Sequence, residues 1–445
     1  MNIVFIVSDT LRRDHLGCYG NRKVRTPNID RLAEKSIVFD NAYTCSFPTM
    51  PNRADLFTGR WTFTYLPWGA LPKNEITLAQ CLREAGYVTK AVVNTPFFAR
   101  SGVIGCNGYD KGFVDFEYIP GQEVFEINKR IKYLDFPNQG RYETEYITPR
   151  TILAAERWLE QNYDRKDNFF LYVDVWDPHE DWNPPKYYSE LYCRDFNEKI
   201  AKLSPEKKRL LFCYPPYDFW RDRGLTEGDL DLAHAAYCGE ITMVDRWIGH
   251  LLEKMENMNL LENTVVIFTS DHGFYFGEHG IFGKHLSPKR FSPLYKEDVQ
   301  IPLIIHVPNL KPARRDALVS SADIMPTILE LAGVKKPPSV HGKSLVTLLQ
   351  DPKCEVHEIV ASSWPLFNPL HRPSTVTSKE RWTLIYGSED APAELYNLNL
   401  DPNQENNLIQ EERDLAQTLL NKFISKLKDL GTSRDLLKKR QRLPR

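Results

Sequence analysis

Nowhere in this 445-residue sequence do apolar residues run far enough to cross a bilayer. The opening MNIVFIVSDT is apolar only from Ile3 to Val7, against the ~20 residues a membrane helix needs. No basic stretch precedes it, so neither a span nor a secretory leader is expected there. The eight cysteines are scattered singly from Cys18 to Cys354, with no C-x-x-C pair. That spacing argues against a disulfide framework and against a structural zinc site, and it predicts a cytoplasmic protein with free thiols. Charge of one sign is also missing: 57 basic against 59 acidic side chains leave −2. No global field therefore draws the chain to nucleic acid or membrane. Internal repeats and low-complexity segments are absent as well. The expected partner is a small molecule, with a homo-oligomer left open.

What is present is an ordinary globular composition, 42% hydrophobic and 26% charged. Short apolar runs at "NIVFIV", "KAVVN" (Lys90–Asn94), "FFLYVDVW" (Phe169–Trp176), "TVVIFTS" (Thr264–Ser270) and "IPLIIHVP" (Ile301–Pro308) predict buried parallel strands. Helical patterns lie between them, in "TPNIDRLAEKS", "LAQCLREAG" with Gly86 as its C-cap, "AAERWLEQN" and "DLAHAAYCGEITMVDRWIGHLLEKMENM". Alternation of this kind predicts an α/β fold, a large mixed, mostly parallel sheet sandwiched by helices. Residues 1–350 are expected to form the catalytic domain, interrupted by a charged, aromatic insertion at Lys186–Asp229. Beyond it, "VHEIVASSW", "TVTSKERWTLIYG" and "AELYNL" predict short antiparallel strands. With the helix "EERDLAQTLLNKFISKLKDL" they make a small α+β subdomain over residues 351–445.

Ligand sites in such sheets gather at the carboxyl ends of the strands. Asp9 directly follows the first run, and Asp271 and His272 directly follow "VVIFTS". One such Asp alone would read as a helix cap. Two carboxylates and an imidazole at strand ends, with a Thr/Arg motif between them in sequence, point to a divalent metal. That motif is "SFPTMPNRADLFTGR", Ser46 to Arg60, in which Thr49 sits between two prolines just ahead of Arg53.

Together, "SDTLRRDHLGCYGN", "TPNIDRLAEKSIVFDNAYT", "TMPNRADLFTGR", "NTVVIFTSDHG", "FGEHGIFGKH", "LVSSADIMPTILELAG", "HGKSL" and "ELYNLNLDPNQENNL" resemble the sulfatase family of the alkaline phosphatase superfamily, over nearly the whole chain. The resemblance implies an alkaline phosphatase-like fold and an ester hydrolase. Sulfatases of the family carry C-x-P-x-R, whose cysteine becomes formylglycine. Here Thr49 falls on the cysteine, Pro51 on the proline and Arg53 on the arginine, while Cys45 lies four residues too early. Threonine cannot become formylglycine, and this resembles branches in which Ser or Thr attacks directly. A threonyl-phosphate can be hydrolysed at phosphorus. A threonyl-sulfate lacks the second hydroxyl through which a formylglycine hydrate eliminates sulfate.

The resemblance assigns further residues. Asp9, Thr49, Asp271 and His272 would hold one metal ion. The imidazole, with Thr10 where many sulfatases have a second Asp, shifts the expectation from Ca²⁺ towards Mn²⁺ or Zn²⁺. Arg53 and Lys284 would stabilise the oxyanion, and His179 would contact the transferred or leaving group. Many sulfatases have Gly-Lys-x-His after the strand that follows the nucleophile helix. Here Asn94 takes the lysine position and Pro96 the histidine position, which leaves polar Asn94 and Thr95 as substrate-binding candidates; His285 in "FGKH" is a further one. This looks more like the phosphonate monoester hydrolase and phosphodiesterase branch. Asp14-His15 would support the site from behind, and Tyr295 and Glu297 would be structural. Asp177, His179 and His279 or His285 could complete a second metal set, at a spacing unlike two-zinc relatives. The expected function is metal-dependent hydrolysis of phosphate or phosphonate esters through Thr49. A sulfatase working without formylglycine, a transferase and a non-catalytic oxyanion-binding protein are the alternatives.

Overall fold

A computed structural model describes residues 1–98, 108–120, 142–213, 215–287, 289–368, 371–438 and 440–444; Tyr214 of the expected insertion and Cys106 lie outside them. In chain order the strands begin β1 (Asn2–Ser8), β2 (Ile37–Tyr43), β3 (Val88–Val93), β4 (Asp115–Tyr118) and β5 (Phe169–Val175). They continue as β6 (Asp218–Phe219), β7 (Thr264–Ser270), β8 (Tyr275–Phe276), β9 (Ile281–Gly283), β10 (Gln300–His306) and β11 (Ala313–Ser320). The last four are β12 (Ile359–Ser363), β13 (Ser374–Ser378), β14 (Trp382–Tyr386) and β15 (Ala393–Asn397).

Eight of these make the main sheet, in the order β11-β2-β10-β7-β1-β5-β3-β4. Strand β1 is flanked in parallel by β5 and β7. One strand face packs on the helices Ile147–Asn162 and Glu227–Asn257, the other on Thr49–Thr58, Leu78–Glu84 and Ile324–Leu331. Burial on both faces is why these strands read as unbroken apolar runs rather than alternating ones.

The expectation of a parallel strand at 301–308 is corrected. Strand β10 runs antiparallel to both neighbours, β2 and β7. The chain between β7 and β10 stays at one end of the sheet, where the Gly273 amide donates to Asp298 O at 2.9 Å. With no crossover to the opposite end, β10 can only run back. A strand buried on both faces looks the same in either direction, so its sequence carried no sign of this. Strands β2 and β11 went unread because "IVFDNAY" and "ARRDALVS" carry charged or amide side chains amid their apolar residues.

The C-terminal four-stranded antiparallel sheet, β12-β13-β14-β15, is covered by the helix Arg413–Asp429. It does not stand apart from the rest. Trp61, Phe63 and Ala322 share its core. Cys45 O accepts from the Ser363 amide and the Phe47 amide donates to Ser363 O, both at 2.8 Å. The end of β12 is thereby tied to the segment that leads into Thr49. No described helix is long and apolar enough to cross a membrane.

Candidate active site

The helix Thr49–Thr58 explains the proline framing of its sequence. Pro48 is its N-cap and Pro51 sits in its first turn, where a missing N–H leaves no helical bond unmade. Gly59 closes it at φ 63°, its amide donating to Asp55 O at 2.8 Å. Every residue of the helix is buried, so each polar one needs a partner. Asp55 accepts from the Ser46 and Thr62 hydroxyls at 2.8 and 2.6 Å. Asn52 donates to Thr44 and Ser321 at 2.6 and 3.0 Å. This network fixes the first turn, and with it Thr49 and Arg53.

Thr49 opens the helix at the carboxyl ends of β1 and β7. Its Oγ1 lies 3.2 Å from His272 Nε2. The His272 Nδ1–H donates to Gly273 O at 2.9 Å, which leaves Nε2 with a bare lone pair. Burial holds the His272 pKa down to about 4, so the ring is neutral at pH 7. Asp9, Asp271 and His272 bring one ligand atom each within 4.8 Å of one another, all buried. Thr10 ties the two carboxylates together. Its left-handed backbone, φ 60°, lets its amide reach Asp271 Oδ1 at 2.9 Å while its hydroxyl donates to Asp9 Oδ1 at 2.6 Å. Backbone strain of this kind persists where surrounding contacts enforce it.

Arg53 is fully buried among three carboxylates. It forks onto Asp174 through Nε and Nη2 at 3.1 and 2.8 Å, and its Nη1 reaches Asp9 Oδ2 at 2.9 Å and pairs with Asp271. Burial and the adjacent Asp271 push the Asp9 carboxyl well above the usual carboxylate range. Asp271 stays below that range despite its burial, because His272 and Arg53 favour its ionised form. Three carboxylates around one guanidinium form a site short of positive charge. Asp9 Oδ2 is buried with the Arg53 guanidinium as its partner at 2.9 Å, a cation it shares with Asp174 and Asp271. Two carboxylates, a bare imidazole nitrogen and the Thr49 hydroxyl are therefore a donor set that fits one divalent cation.

The other candidates lie on neighbouring strand ends. Asn94, just past β3, accepts from the Trp176 amide at 2.6 Å, while its buried Nδ2 has no partner among the described residues. Thr95 is committed elsewhere, its hydroxyl donating to Asp174 Oδ1. His179 follows β5 and stacks on Trp176 with centroids 3.8 Å apart. Burial and the nearby Lys284 hold its pKa well below that of a free imidazole. Lys284 Nζ lies 3.1 Å from Glu180 Oε2. His285 stacks on Tyr217 with centroids 4.8 Å apart, and its Nδ1–H donates to Leu286 O at 2.9 Å.

Asp177, His179, His279 and His285 do not converge as a metal-sized group among the described residues. Asp177 takes the Thr148 hydroxyl at 2.7 Å, and His279 stacks on Tyr295. Asp14 accepts from Arg12 and His15, and His15 Nε2 meets His234 Nε2 at 2.7 Å. Tyr237 links this group to the site, accepting from the Arg12 amide and donating to Thr10 O at 2.9 and 2.7 Å.

Two residues of the constellation went unread in the sequence. Asp174 is a carboxylate inside an otherwise apolar strand, and that isolation was its signal. Glu180, the partner of Lys284, sits in a loop of mixed polarity and gave none.

The sulfatase family model matches residues 1–334, and the model described as N-sulphoglucosamine sulphohydrolase, C-terminal, matches residues 277–432. The ulvan-active sulfatase of Formosa agariphila is 27% identical over 464 residues, covering 98% of this chain and 83% of its own. The arylsulfatase of Clostridium perfringens is 26% identical over 457 residues, covering 92% and 90%. Among solved structures, the phosphonate monoester hydrolase of Agrobacterium radiobacter superposes with a TM-score of 0.74 at 20% identity, covering 96% of each chain. A protein solved with its substrate D-glucosamine-2-N,6-O-disulfate gives 0.74 at 21% identity, covering 96% of this chain and 98% of its own.

Proposed function

The chain belongs to the sulfatase family, an ester hydrolase family, and from its threonine at the nucleophile position we propose that it cleaves phosphate or phosphonate esters through a covalent Thr49 intermediate. The single observation that carries this is Thr49, held at a helix start with its hydroxyl 3.2 Å from His272 Nε2, where the family's sulfatases place a modifiable cysteine. Asp9, Asp271 and His272 would hold the divalent metal that family members bind, with Mn²⁺ or Zn²⁺ favoured by the imidazole. When bound, that ion lowers the pKa of the nucleophile and neutralises charge.

The remaining steps belong to the chain's own side chains. Thr49 Oγ1 forms a bond to phosphorus as the bond from phosphorus to the leaving oxygen breaks; the threonine proton passes to water, and the departing alkoxide or aryloxide takes one up from water. Water then cleaves the threonyl ester at phosphorus and regenerates the hydroxyl. Lys284 offers a cation to a non-bridging oxygen, and Asn94 Nδ2 a buried donor seeking an acceptor. His179, whose pKa burial and Lys284 hold well below that of a free imidazole, is assigned to the leaving group. Arg53 works through Asp9, Asp174 and Asp271, holding the carboxylates in place more than it meets substrate.

A second reading, a sulfatase acting without formylglycine, is favoured by the names of the curated relatives. One panel decides between the two. Purified protein with Mn²⁺ or Zn²⁺ is assayed on aryl phosphonate monoesters, phosphodiesters and sulfates. Turnover of the phosphorus esters is expected; turnover of sulfates alone would replace the first reading with the second.

A further inference from the structure

We infer that Arg372 and Trp364 form an anion subsite beside the reacting group, reading a carboxylate or second oxyanion on the organic half of the substrate. The inference rests on the reading of the site as an ester hydrolase and adds the class of substrate to it.

Both residues lie in the connection between β12 and β13, and both are nine-tenths or more buried. Trp364 Nε1 and Arg372 Nη1 are buried donors with no hydrogen-bond acceptor among the described residues. Arg372 also has no carboxylate partner there. Its Nη2 lies 3.5 Å from His285 Nδ1. That nitrogen already spends its proton on Leu286 O at 2.9 Å and offers the guanidinium no lone pair. What Arg372 does have is the Trp364 ring, 4.6 Å from its Cζ, a contact that steadies a cation without satisfying its N–H groups. Burial with no compensating acid pulls its pKa down to about 10. Most buried arginines here are built differently: Arg53 and Arg12 pair with carboxylates, and Arg315 donates to the carbonyls of Leu348 and Leu349. A buried charge lacking such partners is costly, and an incoming anion supplies them.

The subsite is anchored to the chemistry on two sides. Trp364 directly follows Ser363, which is bonded through its backbone to Cys45 and Phe47, just before Thr49. Phe47 packs on both His272 and Trp364, with centroids 5.0 and 4.7 Å apart. Trp364 also meets His285, the residue after Lys284, at 5.4 Å. An ester held at Thr49 and Lys284 thus has its organic half directed at two unpaired donors. A planar carboxylate matches a guanidinium fork best, and a sulfate or phosphate offers the same oxygens.

The test uses inert ligands and calorimetry on the Mn²⁺-loaded protein. Phenylphosphonate is compared with 3- and 4-carboxyphenylphosphonate and 4-sulfophenylphosphonate. At least one ligand carrying the second anionic group is expected to bind about tenfold or more tighter than phenylphosphonate, and the carboxylate and sulfonate arms separate the two sources of charge. Arg372→Gln should abolish that preference, Arg372→Lys should keep part of it, and Trp364→Phe should weaken it while retaining the ring. Equal binding of all four ligands by the unaltered protein overturns the subsite, even if every variant misfolds. So does a preference that survives Arg372→Gln. Benzenesulfonate and 4-carboxybenzenesulfonate repeat the comparison for sulfate-like chemistry. If only the sulfonate pair binds and 4-carboxybenzenesulfonate binds the tighter, the phosphorus-ester reading fails and the subsite stands; equal binding of that pair overturns both.

Discussion

Arg53 forks onto Asp174 with two bonds, Nε to Oδ2 at 3.1 Å and Nη2 to Oδ1 at 2.8 Å, and neither side chain touches solvent. The same carboxylate accepts from Thr95 and Tyr172. Breaking a buried pair by removing one partner costs about 3–5 kcal/mol. Asp174→Asn, which keeps the shape and removes the charge, is therefore expected to lower stability by about that much in urea unfolding. An unchanged midpoint would mean that Asp9 and Asp271 hold Arg53 alone.

Thr49→Ala should lower turnover of the preferred ester by at least about a thousandfold, as loss of a nucleophile does. Thr49→Ser keeps the hydroxyl and should retain activity within about tenfold. Thermal unfolding of both should stay close to the parent. Full activity in Thr49→Ala would remove the assignment outright.

Thr49→Cys completes the C-x-P-x-R pattern with Pro51 and Arg53. Co-expressed with a formylglycine-generating enzyme, the variant should gain an aldehyde, visible by mass spectrometry, and turn towards sulfate esters. An aldehyde without sulfate turnover would move the origin of specificity from Thr49 to Asn94 and Pro96, where many sulfatases have lysine and histidine.

Chelation should lower the melting temperature, and Mn²⁺ or Zn²⁺ should restore it. A ligand at a hundred times its Kd stabilises by about 2.7 kcal/mol. Elemental analysis should find about one ion per chain, lost in Asp271→Asn with Asp9→Asn. Retention of metal by that double variant would place the ion elsewhere, the His15, His234 and Cys238 group being the other metal-capable set among the described residues.

His341 accepts the Trp61 amide on Nδ1 at 3.0 Å, just past the helix that carries Thr49. Burial, with Arg60 and Lys426 nearby, holds its pKa down to about 4. The unfolded chain, titrating near 6.5, then binds more protons than the folded one between these values, so stability falls as pH drops from about 6.5 to about 4. His341→Gln should make the melting temperature less sensitive to pH across that window. An equal slope in parent and variant would show that His341 titrates normally.

Much of this was legible in the residues, though unevenly. The alternation of strands and helices follows from local periodicity, and Asp9 and Asp271-His272 are found by their place directly after buried runs. Thr95 shows the opposite case. Its hydroxyl marks it as a substrate-binding candidate, yet it donates to Asp174, a residue 79 positions away. Glu180 and Arg372 are ordinary charged loop residues until the fold buries both and, among the described residues, gives a partner of opposite charge only to Glu180.

The sequence by itself determined the sheet-and-helix alternation, the strand-end acids, the proline-framed start of the Thr49 helix and the threonine where sulfatases carry cysteine. Each is set by chemistry within a few residues of chain. Tertiary structure decided the rest: that β10 runs backwards, that Asp174 holds Arg53 across 121 positions of sequence, and that Asn94, Trp364 and Arg372 keep buried donors without acceptors among the described residues. The physical reason is the same in each case. Hydrogen bonds and ion pairs in a dry interior are satisfied by whatever the fold brings within about 3 Å, and distance along the chain carries no information about that.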